Sequence, residues 1–162
     1  MSALDLEAPG RVGRLQDIAR RVAADPASWG AAPRFNAASR WYSRLFAAED
    51  HEAWLLTWLP GQSTDLHDHG GSAGTFVVVS GTLTEETVHA GASGSAVLRA
   101  DSFRAGDARP FGSQHVHRIV NTSSAPAVSL HVYGPALTQI TRYRLRDGAL
   151  RVLEIDRAGV AW

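Results

Sequence analysis

Two periodicities divide the chain. In residues 13–29, Leu15, Ile18, Ala19 and Val22 recur at steps of three and four. That spacing lines apolar side chains along one face of a helix, and Pro26 marks where the helix should stop. From Trp41 onward the pattern changes to short runs rich in Val, Leu, Thr, Phe and Trp, broken by Leu59-Pro60-Gly61, Ser80-Gly81, Gly106-Asp107 and the polar stretch 121–126. Runs of this kind separated by turn residues predict many short antiparallel strands. We expect strands at 53–59, 74–79, 83–89, 96–103, 116–120 and 128–133, and a final hairpin over 143–155 turning at Asp147-Gly148. Residues 29–36, with Gly30 and Pro33, read as a connection containing at most a short helix. The expected architecture is mainly β: a barrel or jelly roll over 41–162, its strand edges hidden by closure, with a helical segment within 1–40 packed outside it.

Composition narrows the partners. A chain of 162 residues, 44% hydrophobic with five Trp, suits a single domain with a sizeable core. Sixteen basic residues balance sixteen acidic ones, so no overall field favours nucleic acid or an anionic membrane, and a small molecule is the expected partner. With no cysteine, any metal must be held by nitrogen and oxygen. The first ten residues lack a basic run followed by an apolar one, and no apolar run reaches membrane-spanning length. A cytoplasmic protein, monomeric or a small homo-oligomer, is the expectation.

Chemistry enters through the histidines, of which there are seven. His51, in a charged turn, and His89, at the end of a strand, read as ordinary surface or structural residues. His67 and His69 are different, because residues i and i+2 of a strand share a face and neutral imidazole is a common metal ligand. A third ligand is available from His115-Val116-His117. Strand parity cannot choose between its two histidines.

Gly61, five residues, His67-Asp68-His69 and then Gly81 resemble the first signature of the cupin superfamily, and Pro110, Gly112, His117 and Asn121 resemble the second in order. His115 has the commoner spacing after the turn, whereas His117 gives the His-x-x-x-Asn arrangement with Asn121. We assign His117 as the ligand and keep His115 as a candidate for the rim or for support of the ligands. The glutamate that usually serves as fourth ligand would fall at Gly74, so the site is three imidazoles without a carboxylate. Such a site favours an anionic ligand.

Ser129, His131 and Tyr133 alternate with Val128, Leu130 and Val132. Alternation alone reads as a solvated polar face. In company with His67-x-His69 and His117-Arg118-Ile119-Val120-Asn121, however, this stretch closely resembles the cysteine dioxygenase family of thiol dioxygenases, and Tyr42-Ser43-Arg44 resembles the family's Tyr-Thr-Arg segment. The resemblance covers about 42–135. It implies a cupin barrel with mononuclear non-haem Fe(II) on His67, His69 and His117 and O2 as co-substrate. It further implies L-cysteine as the thiol oxidised to its sulfinic acid, Arg44 with Tyr42 for the substrate carboxylate, and Tyr133, His131 and Ser129 as a hydrogen-bonded catalytic relay. In the animal enzymes a cysteine cross-linked to the active-site tyrosine matches Gly74, so this chain cannot form that bond and resembles bacterial members instead. The competing readings are a dioxygenase for 3-mercaptopropionate or another small thiol, and a non-catalytic cupin that binds a metal or ligand.

Overall fold

The computed structural model describes residues 8–157; the first seven residues and the last five, which the expected single domain includes, lie outside the described residues. Helix α1 (Ala8–Ala23) is followed by a single 3-10 turn (Pro26–Ser28) and an irregular stretch up to β1. The strands are β1 (Tyr42–Ala47), β2 (Glu52–Trp58), β3 (Leu66–His67), β4 (Ala73–Ser80), β5 (Thr82–Ala90), β6 (Ala96–Arg104), β7 (Ala108–Phe111), β8 (His117–Val120), β9 (Ala127–Gly134), β10 (Gln139–Arg146) and β11 (Ala149–Arg157). They form two antiparallel sheets, one ordered β1-β2-β9-β4-β7 and the other β11-β10-β3-β8-β5-β6. The mainly β, cupin-type architecture is therefore the observed one, with an α-helix preceding the strands among the described residues.

The helical stripe packs as its spacing requires. Leu15, Ile18 and Ala19 are buried against Ala53, Leu55, Val77, Val128, Leu130 and Val132 on the outer face of the five-stranded sheet. Each fully buried aliphatic side chain contributes roughly 1.5–3 kcal/mol. A second core fills the space between the sheets, built on Trp58, Phe76, Val78, Leu83, Phe111, Ile119 and Tyr133. The final hairpin turns at Asp147 (φ 53°) and Gly148 (φ 72°), the two positive φ values that a tight I′ connection needs.

Sheet order sets up the site. β3, β8 and β5 are neighbours in the six-stranded sheet, and His67 is the direct cross-strand partner of His117. Only His67 of the early pair belongs to a strand; His69 lies just beyond β3. β9 faces them from the other sheet and is buried along its whole length. Its apolar residues are covered by α1, so Ser129, His131 and Tyr133 point inward rather than to solvent.

Candidate metal centre

His67, His69 and His117 are all buried, and their ligand nitrogens lie within 4.8 Å of one another. The rings meet edge to face, with centroids 4.8–4.9 Å apart. Two of the three have one nitrogen already committed. His67 Nδ1 pairs with the Asp65 carbonyl at 2.8 Å, and His117 Nδ1 donates to Glu85 Oε2 at 3.1 Å. Those bonds fix the tautomers and leave each Nε2 as the free donor. Neither nitrogen of His69 has a hydrogen-bond partner among the described residues, although His69 is fully buried. A buried polar atom without a partner is costly, and a metal ion would satisfy it here.

Electrostatics agree with that donor set. Burial pushes the pKa of His67 and His69 well below the ordinary imidazole value, and repulsion from His117 adds to it. Burial also lowers His117, against the opposing pull of Glu85. All three are thus held neutral, the form that ligates. The chain residue between the pair is a brace: Asp68 Oδ1 accepts from the Gly70 and Thr141 amides, and Oδ2 accepts the Tyr143 hydroxyl at 2.7 Å, which ties the His67–His69 segment to β10.

Glu85 was not among the expected site residues, and it underlies the third ligand. Its buried carboxylate also accepts Arg109 Nε at 2.8 Å and lies 3.5 Å from His115 Nε2. Burial alone would raise its pKa, but its interactions with His115, His117 and Arg109 outweigh burial and lower it. A carboxylate behind a ligating histidine orients the ring and raises its basicity. The sequence held a signal: Glu85 has the same parity on β5 as Leu83 and Thr87, and all three are buried. His115 stands outside the three, stacked on Phe111 at 4.9 Å with 15% of its side chain exposed. Glu85, His115 and His117 also form a possible cation cluster, but in it His117 Nδ1 and Glu85 already satisfy each other.

The relay residues come together as one chain. Ser129 Oγ is 2.8 Å from His131 Nε2, and Tyr133 Oη is 3.3 Å from His131 Nδ1. Trp58 Nε1 donates to Ser129 Oγ at 2.8 Å, extending it by one residue. Burial lowers the His131 pKa to about 3, with repulsion from His117 and Arg40 as lesser causes. Burial and the negative charge of Glu52 raise that of Tyr133. Both are neutral, so the chain can hold or pass a proton without stored charge. Tyr133 stacks on His69 at 5.4 Å.

A cavity beside His67 is walled by Arg40, Tyr42, Trp54, Tyr133 and Arg142. Its volume of about 60 Å³ corresponds, at roughly 10–15 Å³ per water, to four to six water-sized groups. Only a small ligand fits. Tyr42, one of the two expected substrate residues, lines it. Arg44 does not; its side chain is 55% exposed, 3.8 Å from buried Glu52. Arg40 does, with its guanidinium 4.9 Å over the Trp58 ring and neither an ion pair nor a hydrogen bond to the described residues. Burial and the Arg142 charge lower the pKa of Arg40, though a guanidinium remains charged regardless. The Trp54 indole N–H, on the same wall, is buried without a partner among the described residues.

Among the described residues no helix is long and apolar enough to cross a membrane. The solved structures that resemble the chain carry the cupin-type fold. They include the protein TT1209 from Thermus thermophilus, 26% identical, with a TM-score of 0.51 over 64% of this chain and 90% of that one. A Klebsiella pneumoniae protein described as having a double-stranded β-helix domain is 21% identical, with a TM-score of 0.50 over 75% and 90%. An oxalate oxidase in complex with glycolate is 15% identical, with a TM-score of 0.53 over 67% and 57%; at such identity the likeness is one of fold. The family model for cysteine dioxygenase type I matches residues 9–146, spanning the helix, the three histidines and the Ser-His-Tyr strand, and the chain belongs to that family.

Proposed function

We propose that this protein is a thiol dioxygenase that converts L-cysteine and O2 to cysteine sulfinic acid at Fe(II) held by His67, His69 and His117. The observation that carries the reading is a neutral three-imidazole site beside a cavity sized for a few heavy atoms and walled by two arginines and two tyrosines. Iron at this position would take the substrate as thiolate and activate O2. The imidazoles add no negative charge, so an anionic ligand meets the full charge of the ion. Tyr133 directs its hydroxyl group at the cavity and steadies the reacting groups by hydrogen bonding, with His131 and Ser129 holding it from behind. The expected carboxylate anchor, Arg44, is largely exposed and does not line the cavity; Arg40, which lines it and has no anionic partner among the described residues, is better placed to offer its planar fork. A cytoplasmic setting, where free thiols stay reduced, suits such a reaction.

The test is anaerobic loading with Fe(II), then O2 uptake and sulfinate analysis with L-cysteine, cysteamine and 3-mercaptopropionate. Cysteine should be the best substrate. Charge-assisted bonds contribute roughly 1.5–3 kcal/mol each, so Arg40→Ala should raise KM for cysteine at least about tenfold and leave cysteamine, which lacks a carboxylate, nearly unaffected. Arg44→Ala should have a smaller effect. The reverse ranking would return the carboxylate to Arg44. Preference for 3-mercaptopropionate would change the substrate, and metal binding without thiol turnover would make the protein a binding module.

A further inference from the structure

Trp58 is fully buried, and both its edge and its face are in use. The indole N–H donates to Ser129 Oγ at 2.8 Å, and the ring carries the Arg40 guanidinium at 4.9 Å. Asn121 pins the residue from behind, donating from Nδ2 to the Trp58 carbonyl at 3.0 Å.

The direction of each hydrogen bond in the relay follows from what each group can do. An indole N–H only donates, so Ser129 Oγ must accept it. Ser129 is fully buried, and among the described residues the other partner of its hydroxyl is His131 Nε2. Were Nε2 protonated, Ser129 Oγ would receive two donors and its own hydrogen would be stranded in the core, which buried polar groups avoid. Ser129 therefore donates to Nε2, and His131 carries its proton on Nδ1. That Nδ1–H donates to the Tyr133 oxygen, 3.3 Å away, which leaves the Tyr133 hydrogen free to point into the cavity. Take away the indole N–H and the series can reverse: Nε2–H donates to Ser129, and Tyr133 turns its hydrogen back onto Nδ1.

We propose that Trp58 is a positioning residue that sets two ligand-facing groups of the cavity, fixing Tyr133 as a donor through the His131 tautomer and supporting Arg40 through its ring face. Its consequence for turnover rests on the thiol dioxygenase reading; the tautomer does not. Nothing in the pattern of strand β2 marks Trp58 as more than a core residue, because its effect on Tyr133 passes through two intervening side chains.

The experiment uses the full-length chain, 15N-labelled at histidine and loaded with diamagnetic Zn2+, with His131 assigned by comparison with His131→Gln. Long-range 1H–15N correlation reads the tautomer directly. The parent should show Nδ1–H alone, and Trp58→Phe, which keeps a ring under Arg40 but has no N–H, should show a mixture or Nε2–H. On the iron-loaded protein, Trp58→Phe should lower kcat about tenfold or more with KM for cysteine within twofold, while Trp58→Leu, lacking the ring as well, should also raise KM. An Nε2–H tautomer in the parent would overturn the proposal without any variant having to fold, as would a Trp58→Phe protein with the parent tautomer. Equal KM in the Phe and Leu variants would overturn the support of Arg40. A parent that shows Nδ1–H but oxidises no thiol would sink the dioxygenase reading and leave the tautomer lock standing.

Discussion

Gly74 offers a sharp test of the packing around the metal ligands. It pairs with Phe111 on one side and Tyr133 on the other. A Cβ at this position would lie 2.7 Å from Phe111 Cζ, 2.8 Å from Cε2 and 2.9 Å from the Val132 carbonyl, closer than real Cβ atoms approach. The carbonyl is part of the β4–β9 ladder and cannot yield. Phe111 is only 4% exposed, and its ring is stacked on both His69 and His115, so it can move only by displacing a ligand. Overpacking of this kind costs about 1–3 kcal/mol. For a chain of this length each kcal/mol lowers Tm by roughly 2–4 °C, so Gly74→Ala should melt about 2–12 °C below the parent. Gly112→Ala is the control, since none of the described residues lies within 4 Å of a Cβ there. Adding Phe111→Leu to Gly74→Ala should recover part of the loss. Thermal melts followed by circular dichroism decide the matter: a Gly74→Ala protein as stable as the Gly112→Ala control would refute the steric argument. The same crowding explains why no carboxylate ligand could simply be installed at residue 74. Phe111 occupies the space that a side chain there would need.

Three further outcomes follow from the site. Glu85→Ala should weaken divalent metal affinity by about 10–100-fold in calorimetric titration, because His117 loses the acceptor that orients it. His115→Ala should leave affinity close to the parent's and His117→Ala should abolish it; the opposite order would move the third ligand to His115. Stability of the metal-free protein should fall as pH drops below about 6.5. His131 is lowered to about 3 by burial, so between those values the unfolded chain binds a proton that the folded one refuses, costing roughly 1.4 kcal/mol per pH unit. Urea midpoints from pH 7 to 4.5 measure the slope, and His131→Gln should reduce it by about one proton; an unchanged slope would mean that His131 titrates normally when folded.

What could be read from the chain was whatever repeats or sits in a motif. The helix stripe, the longer strands, the Asp147-Gly148 turn and the three histidines all announce themselves by period or spacing. Three strands did not. β3 has two residues, too few to show alternation. β7 contains Pro110, which argues against a strand unless the strand lies at a sheet edge, and β7 does. β1 is the opposite edge of the same sheet, with its register shifting between Arg44 and Phe46. Arg40 was invisible for a different reason: it precedes any regular element of the barrel, so only the path of the connection into β1 brings it over Trp58. Glu85 had the inward parity of Leu83, but a charged residue beside a second glutamate, Glu86, reads as solvated until the partners Arg109 and His117 are seen to converge on it.

The Ser-His-Tyr strand shows how the helix and the site depend on each other. A half-buried strand normally turns its polar face to water, and by that rule Ser129, His131 and Tyr133 would lie outside the barrel. The rule fails because α1 covers the other face. Val128, Leu130 and Val132 are buried under Leu15, Ile18 and Ala19, so β9 contributes its apolar share to a core outside the barrel. Its inner face is then free to be polar, provided every polar atom finds a partner. Trp58, Ser129, His131 and Tyr133 meet that condition in series, with the last hydroxyl left for a ligand. The N-terminal helix is accordingly more than a covering on the barrel, since without it the face of β9 that carries the relay would be the one driven to solvent.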